Sequence, residues 1–230
     1  MKPWKVKGWV IPPEQNGEFV ANMEKVLGVY KRPYNYHNPV ICMDESPKQL
    51  IGETKIPIAM KSGQERKEDY EYTRNGVCNI FMANEPLMGK RYPKITVTKK
   101  KQDWAQYIKE VVDTNYADRR KVTLVMDNFG THTLGAFYES FEPKEAKRLM
   151  DKIDFIFTPK HGSWLNMAEI ELNVLTGQCL NRRIANIETV EDEVKAWAEH
   201  RNNSNATINW QFKTLDARIK LRRLYPSINH

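Results

Sequence analysis

Apolar residues along this chain fall into short runs and helically spaced stripes. Runs at 39–43, 122–126 and 153–157 have the length and uniformity that favour strands buried on both faces of a sheet. Mixed segments at 70–82 and 94–98 predict two further strands. The pattern therefore predicts a five-stranded sheet.

The segments between these runs predict loops and helices. Residues 45–70 are polar and interrupted by proline and glycine, so they are interpreted as a long loop, and Asn75-Gly76 as a turn or bulge inside a strand. Strands that alternate with helices predict the α/β class, here a five-stranded mixed sheet flanked by helices. Apolar positions three or four residues apart predict those helices at 18–30, 104–112, 134–141, 165–179 and 189–201.

Three carboxylates stand at the ends of these elements. Asp44 follows the first predicted strand, Asp127 follows the fourth, and Glu169 lies near the start of the helix after the fifth. Hard divalent cations prefer oxygen ligands, and two Mg²⁺ or Mn²⁺ ions between carboxylates can activate a water or hydroxyl and stabilise the leaving oxygen of a phosphodiester. Acids at these places in an α/β order are the ribonuclease H-like arrangement, which predicts metal-dependent chemistry on DNA.

Each acid also has a structural explanation. Asp44 and Asp127 fit ordinary strand ends, and the segment from Asn166 to Glu169 has the form of a capping box. Glu171 lies about 200° around the helix from Glu169, so the two cannot both face one metal pair. Both flank the apolar stripe, so periodicity does not choose between them.

Glu45 raises a similar question on the first strand. Alternate side chains of a strand point to opposite faces, so only one of Asp44 and Glu45 is expected to join Asp127. We choose Asp44, which closes the apolar run.

Composition bounds the class of protein. The 230 residues are 40% hydrophobic and 28% charged, which is ordinary for a globular protein with one large domain. No apolar run approaches the roughly 20 residues of a membrane span, and the N-terminus has no signal-peptide core, so a soluble cytoplasmic protein is predicted. Three cysteines in apolar segments, without metal-finger spacing, predict buried free thiols.

Positive charge is concentrated in two segments of a chain whose formal net charge is +7. Residues 85–101 carry six lysines or arginines against one acid, and residues 206–230 carry five against one. Either cluster alone also fits a solvated face, but two clusters together with a metal site favour contacts to DNA phosphates. The side chains singled out are Lys99, Lys100, Lys101, Arg222 and Arg223.

Longer sequence blocks add a family resemblance. The blocks are Cys42 to Leu50, Asp69 to Gly76, Asp127 to His132, Thr158 to Glu171, Gln178 to Arg183 and Asp216 to Pro226. In this order they resemble the catalytic core of mariner-type transposases of the DDE superfamily, specifically the bacterial insertion-sequence family six-thirty. The resemblance covers nearly the whole chain and implies a ribonuclease H-like catalytic domain.

The resemblance implies roles for the three acids. It assigns Asp44, Asp127 and Glu169 to catalysis and metal binding, and thereby prefers Glu169 to Glu171. It implies two Mg²⁺ or Mn²⁺ ions, double-stranded DNA as the substrate, cleavage at transposon ends and transfer of the freed 3′-OH into target DNA. A homodimer is expected in the active complex, with no membrane partner.

Two features depart from the family pattern. Asp127 and Glu169 are 42 residues apart, which is longer than is usual among mariner relatives, and the helix-turn-helix region that reads transposon ends has no counterpart. We therefore expect residues 1–36 to be an arm and helix that lead from a missing helix-turn-helix domain. Residues 37–205 are expected to form the catalytic domain, and residues 206–230 a basic C-terminal segment.

Polar and aromatic residues near the acids are further candidates. They are expected to contact metal ligands or DNA, although structural roles also fit, such as core packing for the tryptophan and helix-dipole contacts for the two arginines. These candidates are Asn128, His132, Lys160, His161, Ser163, Trp164, Asn166, Arg182 and Arg183.

Two other functions are open alternatives. A chain without an end-reading domain could be an inactive remnant or regulator that binds DNA, and the same acids could serve a general ribonuclease H-like nuclease. Intact carboxylates argue against the first alternative. The long matched blocks argue against the second.

Overall fold

Among the residues that the structure, a computed structural model, describes (12, 14–127, 130 and 132–227), five strands form one mixed sheet. Strands β1, β2 and β3 pair in antiparallel fashion, whereas β1, β4 and β5 are parallel. The α/β class and the mixed sheet are therefore confirmed. The strands are β1 (Val40–Glu53), β2 (Tyr72–Glu85), β3 (Lys90–Thr96), β4 (Val122–Met126) and β5 (Ile153–Phe157), and their order across the sheet is β3-β2-β1-β4-β5.

Helices cover both faces of this sheet. They include α4, which was not predicted because only Ala146 and Leu149 on it are buried and no long apolar stripe marks it. No helix in the described ranges is long and apolar enough to cross a membrane. The α-helices are α1 (Gly17–Tyr30), α2 (Lys101–Asn115), α3 (Gly135–Ser140), α4 (Pro143–Lys152), α5 (Met167–Leu175), α6 (Ile187–Asn203) and α7 (Thr214–Lys220).

Strand β1 is longer than predicted, and the interpretation of residues 45–70 as a loop is wrong for their first part. Residues 45–53 continue β1 and pair with β2. Backbone hydrogen bonds build this ladder, and most of its side chains are partly exposed, so hydrophobicity gave no signal. The pairing register shifts between Gln49 and Ile51, opposite Gly76 with φ of 108°, so the predicted bulge is present.

Two layers of apolar packing enclose the sheet. On one face, α2, α3 and α4 bury residues such as Trp104 and Phe137 against the strands. On the other face, α5 packs on β1 and β2 and α6 packs on β3, while α1 and α7 share a core with Cys42 and Val125. The predicted N-terminal helix thus packs directly on the sheet. Cys42, Cys78 and Cys179 are free thiols, the first two buried and the third partly exposed.

The parallel pairing of β1 with β4 brings two acids together. Cys42 pairs with Val125, and Asp44 and Asp127 each lie two residues beyond this pair, Asp44 within β1 and Asp127 directly after β4. Paired residues of neighbouring strands point to the same side, and side chains alternate along each strand. Asp44 and Asp127 are therefore expected on the same face at the carboxyl end of the sheet, where α5 begins.

Candidate active site

One cleft gathers the three predicted acids. Asp44 lies within β1 rather than at its predicted end, Asp127 follows the last residue of β4, and Glu169 lies in the first turn of α5. The cleft has a volume of about 270 Å³. Its walls are completed by Glu45, Ser46, Ser163, Leu172, Asn173 and Thr176.

Asp44 sits in an environment that disfavours its negative charge. Its Oδ1 accepts a hydrogen bond from the backbone N–H of Glu45 at 2.8 Å. Burial, followed by the negative charge of Asp127, nevertheless raises the pKa of Asp44 to about 7. Glu45 and Glu169 add smaller repulsions in the same direction. A cation in the cleft would relieve this repulsion.

Glu169 and Glu171 have different environments, although they are two residues apart. Oε2 of Glu169 is buried and has no hydrogen-bond partner among the residues that the structure describes. Glu171 is fully buried and is bound by Arg91 at 2.7 Å and by Arg201 at 3.1 Å. Glu169 thus offers an unused oxygen to the cleft, whereas Glu171 joins α5 to β3 and α6.

Asn166 holds the start of α5 against β1. Its side chain caps the helix by accepting a hydrogen bond from the N–H of Ala168 at 3.1 Å. Its Nδ2 donates to the backbone oxygen of Met43 at 2.8 Å and lies 3.4 Å from Oδ2 of Asp44. Asn166 therefore caps α5, but the predicted capping box is not formed, because the backbone N–H of Asn166 donates to the backbone oxygen of Ser163 at 2.7 Å and Oε2 of Glu169 has no partner among the described residues.

Tyr30 supports the same junction from α1. Its hydroxyl donates a hydrogen bond to the backbone oxygen of Leu165 at 2.8 Å. Leu165 immediately precedes Asn166, so α1 helps to fix the position from which α5 starts.

His132 connects two carboxylates of the cleft. Its Nδ1 lies 2.6 Å from Oδ1 of Asp127, and its Nε2 lies 3.0 Å from Oε2 of Glu45. Burial opposes the charged imidazolium, but contacts with Asp127 and Glu45 outweigh burial and raise the pKa of His132 to about 9. His132 therefore contacts a predicted metal ligand, which is one of the two roles that sequence reasoning left open.

Glu45 is the residue of this cleft that sequence reasoning set aside. Strand alternation predicted that Glu45 would not join Asp127, but Glu45 lines the same cleft, and His132, from the segment after β4, links it to Asp127. The ladder between β1 and β4 ends at Cys42 and Val125. Beyond that point there is room for an imidazole between β1 and the segment that follows β4. The only sequence signal was a histidine five residues after Asp127.

Comparison with known families decides the identity. Residues 39–191, more than half of the chain, match the profile of the DDE superfamily endonuclease family. The chain belongs to this family. No curated protein matches the sequence.

Solved structures support the same fold for this DDE domain. The Mos1 mariner paired end complex with Mn has a TM-score of 0.58 at 15% identity, over 90% of this chain and 62% of the Mos1 chain. The Mos1 Strand Transfer Complex has a TM-score of 0.57 at 16% identity, over 90% and 67%. The chain thus spans less than two thirds of the first of these Mos1 chains. The ribonuclease H-like fold is confirmed, while the assignment to insertion-sequence family six-thirty stays a prediction.

The remaining candidates near α5 separate into cleft and core residues. Ser163 lines the cleft, and Lys160 and His161 are exposed in the preceding turn, where His161 has φ of 64°. Trp164 packs against Phe212 with ring centroids 5.8 Å apart, in the core shared with α1 and α7. Asn128 lies outside the described residues.

Arg182 and Arg183 lie away from the three acids. Arg182 pairs with Glu193 at 2.5 Å, and Arg183 pairs with Glu53 at 2.6 Å near the far end of β1. Neither arginine lines the cleft that holds Asp44.

The two basic clusters of the chain occupy different places. Lys99 lies beside the cleft, with Nζ 3.7 Å from Oε1 of Glu45, and Lys101 pairs with Glu139 at 3.3 Å. Lys100 is exposed between them. Arg222 and Arg223 are exposed on a short 3₁₀ turn after α7.

The donor chemistry of the cleft fits hard divalent cations. Three carboxylates converge from β1, β4 and α5, and carboxylate oxygens are the ligands that Mg²⁺ and Mn²⁺ prefer. No three acidic, histidine or cysteine side chains in the described ranges are close enough to hold one ion without adjustment. Mutual repulsion among like charges is consistent with this spacing, and a cation would draw the carboxylates together.

Proposed function

We propose that this DDE domain is the catalytic part of a transposase. It cleaves DNA at the ends of a mobile element and joins the freed 3′-OH to target DNA. The observation that carries the proposal is the convergence of Asp44, Asp127 and Glu169 in one cleft of a DDE-family domain. The likeness in fold to the Mos1 Strand Transfer Complex and the Mos1 paired-end complexes supports it.

Two Mg²⁺ or Mn²⁺ ions are the proposed cofactors. Asp44 and Asp127 would share the ions, and Glu169 would complete one coordination shell. Bound ions of this kind lower the pKa of a bound water and stabilise the charge on the leaving oxygen of a phosphodiester. Mos1 complexes with Mn and with Mg are consistent with this choice of metals.

The protein's own residues supply position and environment. Asn166 fixes the distance between α5 and β1, and so between Glu169 and Asp44. Ser163 places a hydroxyl at the cleft wall, and Leu172 gives the cleft an apolar side. Lys99 places a cation next to Glu45, where it can contact a phosphate of the DNA strand that enters the cleft.

Double-stranded DNA and a second copy of the chain are the proposed partners. The cluster Lys99, Lys100 and Lys101 begins at the cleft, so phosphate contacts there would lie next to the acids. Joining two transposon ends in one reaction requires two catalytic domains, and a homodimer supplies them.

The proposal is tested by incubating the purified chain with supercoiled plasmid, and separately with a pre-cut duplex that has a free 3′-OH. Wild type is expected to nick the plasmid and to join the duplex to it, in both cases only when Mn²⁺ or Mg²⁺ is added. Asp127→Asn should lose both reactions, while Glu110→Gln, a surface change on α2 at the ion pair with Lys94, should retain them.

Two outcomes would contradict the proposal. DNA binding by wild type without metal-dependent nicking or joining would indicate an inactive DNA-binding protein. Cleavage of an RNA–DNA hybrid in preference to duplex DNA would indicate a general ribonuclease H-like nuclease.

A further inference from the structure

The geometry points to Glu45 and His132 as positioning residues that hold the carboxylate of Asp127 in the orientation needed for metal binding. The inference deepens the proposed function and rests on it. It concerns residues that do not themselves bind the metal.

The first support is the contact of the imidazole with both carboxylates. Nδ1 of His132 lies 2.6 Å from Oδ1 of Asp127, and Nε2 lies 3.0 Å from Oε2 of Glu45. An ionised carboxylate only accepts hydrogen bonds, so Nδ1 donates to Asp127, while Nε2 makes a close electrostatic contact with Glu45. Contacts at both ends restrict rotation of the imidazole and fix which oxygen of Asp127 it engages.

The second support is the packing that holds this pair in place. The side chain of His132 is fully buried, and its ring centroid lies 5.7 Å from that of Trp104, a core residue of α2. The side chain of Glu45 is only 6% exposed and lies 3.7 Å from Nζ of Lys99. The imidazole is thus held by β1 on one side and by α2 on the other.

The third support is the partial exposure of Asp127 to the cleft. The side chain of Asp127 is 28% exposed, so it faces the cleft while its partners are buried. With Oδ1 engaged by His132, Oδ2 would be the oxygen available to a cation. Metal sites commonly use such outer contacts, and removing one typically costs about 10- to 100-fold in metal affinity or activity.

The test measures Mn²⁺ affinity of the whole chain without DNA, by titration calorimetry and by the electron paramagnetic resonance spectrum of bound Mn²⁺. Glu45→Gln is expected to weaken Mn²⁺ binding about tenfold and to change the spectrum. His132→Ala should weaken binding more, whereas His132→Asn should recover part of the affinity because its amide can donate to Asp127. The control Glu110→Gln should bind Mn²⁺ as wild type does.

Melting curves without metal separate positioning from folding. A purely structural role predicts lower melting temperatures with unchanged Mn²⁺ affinity and spectrum, and that result would overturn the inference. Glu45→Gln preserves side-chain size and His132→Asn retains an amide donor close to the position of Nδ1, so both remain informative if His132→Ala does not fold. If wild type itself neither binds Mn²⁺ nor nicks DNA, the proposed function fails first, and a wild type that binds Mn²⁺ alongside unaffected variants would refute the positioning role alone.

Discussion

Nδ2 of Asn166 lies 2.8 Å from the backbone oxygen of Met43 and thereby joins the start of α5 to β1 one residue before Asp44. The same side chain caps α5 through its Oδ1. One buried amide therefore fixes the relative position of α5 and β1, which carry Glu169 and Asp44. The third acid, Asp127, directly follows β4, and the parallel pairing of β4 with β1 sets its position.

Replacing this amide should weaken both the fold and the site. Asn166→Ala removes a helix cap and leaves the buried oxygen of Met43 without its donor, so we expect a loss of about 2 kcal/mol in the free energy of unfolding. Because α5 is then less firmly attached to β1, Mn²⁺ affinity and DNA nicking should also fall. Urea denaturation and Mn²⁺ titration measure the two effects.

The matched control for that substitution is Asn186→Ala. Asn186 caps α6 by accepting from the N–H of Thr189 at 2.8 Å, but it is exposed and does not line the cleft. Its replacement should cost about 1 kcal/mol and leave Mn²⁺ binding unchanged. Equal loss of Mn²⁺ affinity in both variants would show that helix capping, and not the bond to Met43, is what matters.

Substitutions at Glu169 and Glu171 should have different effects, the first on DNA nicking and the second on stability. Glu169→Gln removes a carboxylate from the cleft without breaking an ion pair, so nicking should be abolished while the melting temperature without metal changes little. Glu171→Gln leaves Arg91 buried with its charge uncompensated, which should cost about 3 kcal/mol of stability. The folded fraction of Glu171→Gln should still nick DNA, and loss of nicking per folded molecule would contradict this assignment.

Glu171 should also give the protein an acid-sensitive component of stability. Burial acts to raise the pKa of Glu171, but bonds and charges from Arg91 and Arg201 outweigh it and hold the pKa below its ordinary value. A depressed pKa in the folded state adds stability that is complete above the unfolded-state pKa of about 4.3 and is lost as the pH falls through the folded-state pKa. Urea midpoints measured below pH 5 should therefore fall less steeply for Glu171→Gln than for wild type, and parallel pH profiles would contradict this.

The buried strands and the pair Asp44 and Asp127 could be predicted from the sequence because both depend on local signals. Strands β4 and β5 are short apolar runs, and their predicted bounds are those of the structure. The continuation of β1 through residues 45–53 could not be predicted, because its stability comes from backbone pairing with β2. Local signals fail where pairing partners are distant in the chain.

The environments of Glu45 and Glu171 depend on such distant partners. Glu45 meets His132 only because β1 and β4 are neighbours, and Glu171 meets Arg91 only because the fold brings α5 within side-chain reach of β3. Helical geometry separates Glu169 from Glu171 but does not say which faces the cleft. That choice required either the family resemblance or the location of the two arginines.

The lysines beside the cleft should govern how DNA binding depends on salt. Each phosphate that a lysine neutralises releases counterions, so the logarithm of the binding constant should fall by about 0.9 per neutralised phosphate for each unit in the logarithm of salt concentration. Replacing Lys99, Lys100 and Lys101 with alanine should flatten this slope by about 0.9 for each phosphate that is no longer neutralised. Replacing Lys144, Lys147 and Lys195, which lie on α4 and α6 and do not line the cleft, removes the same charge and should change the slope less. Fluorescence anisotropy of a labelled duplex across a salt series measures the slopes. Equal slopes for the two triple variants would mean that the net charge of the protein, rather than the lysine cluster beside Glu45, determines DNA binding.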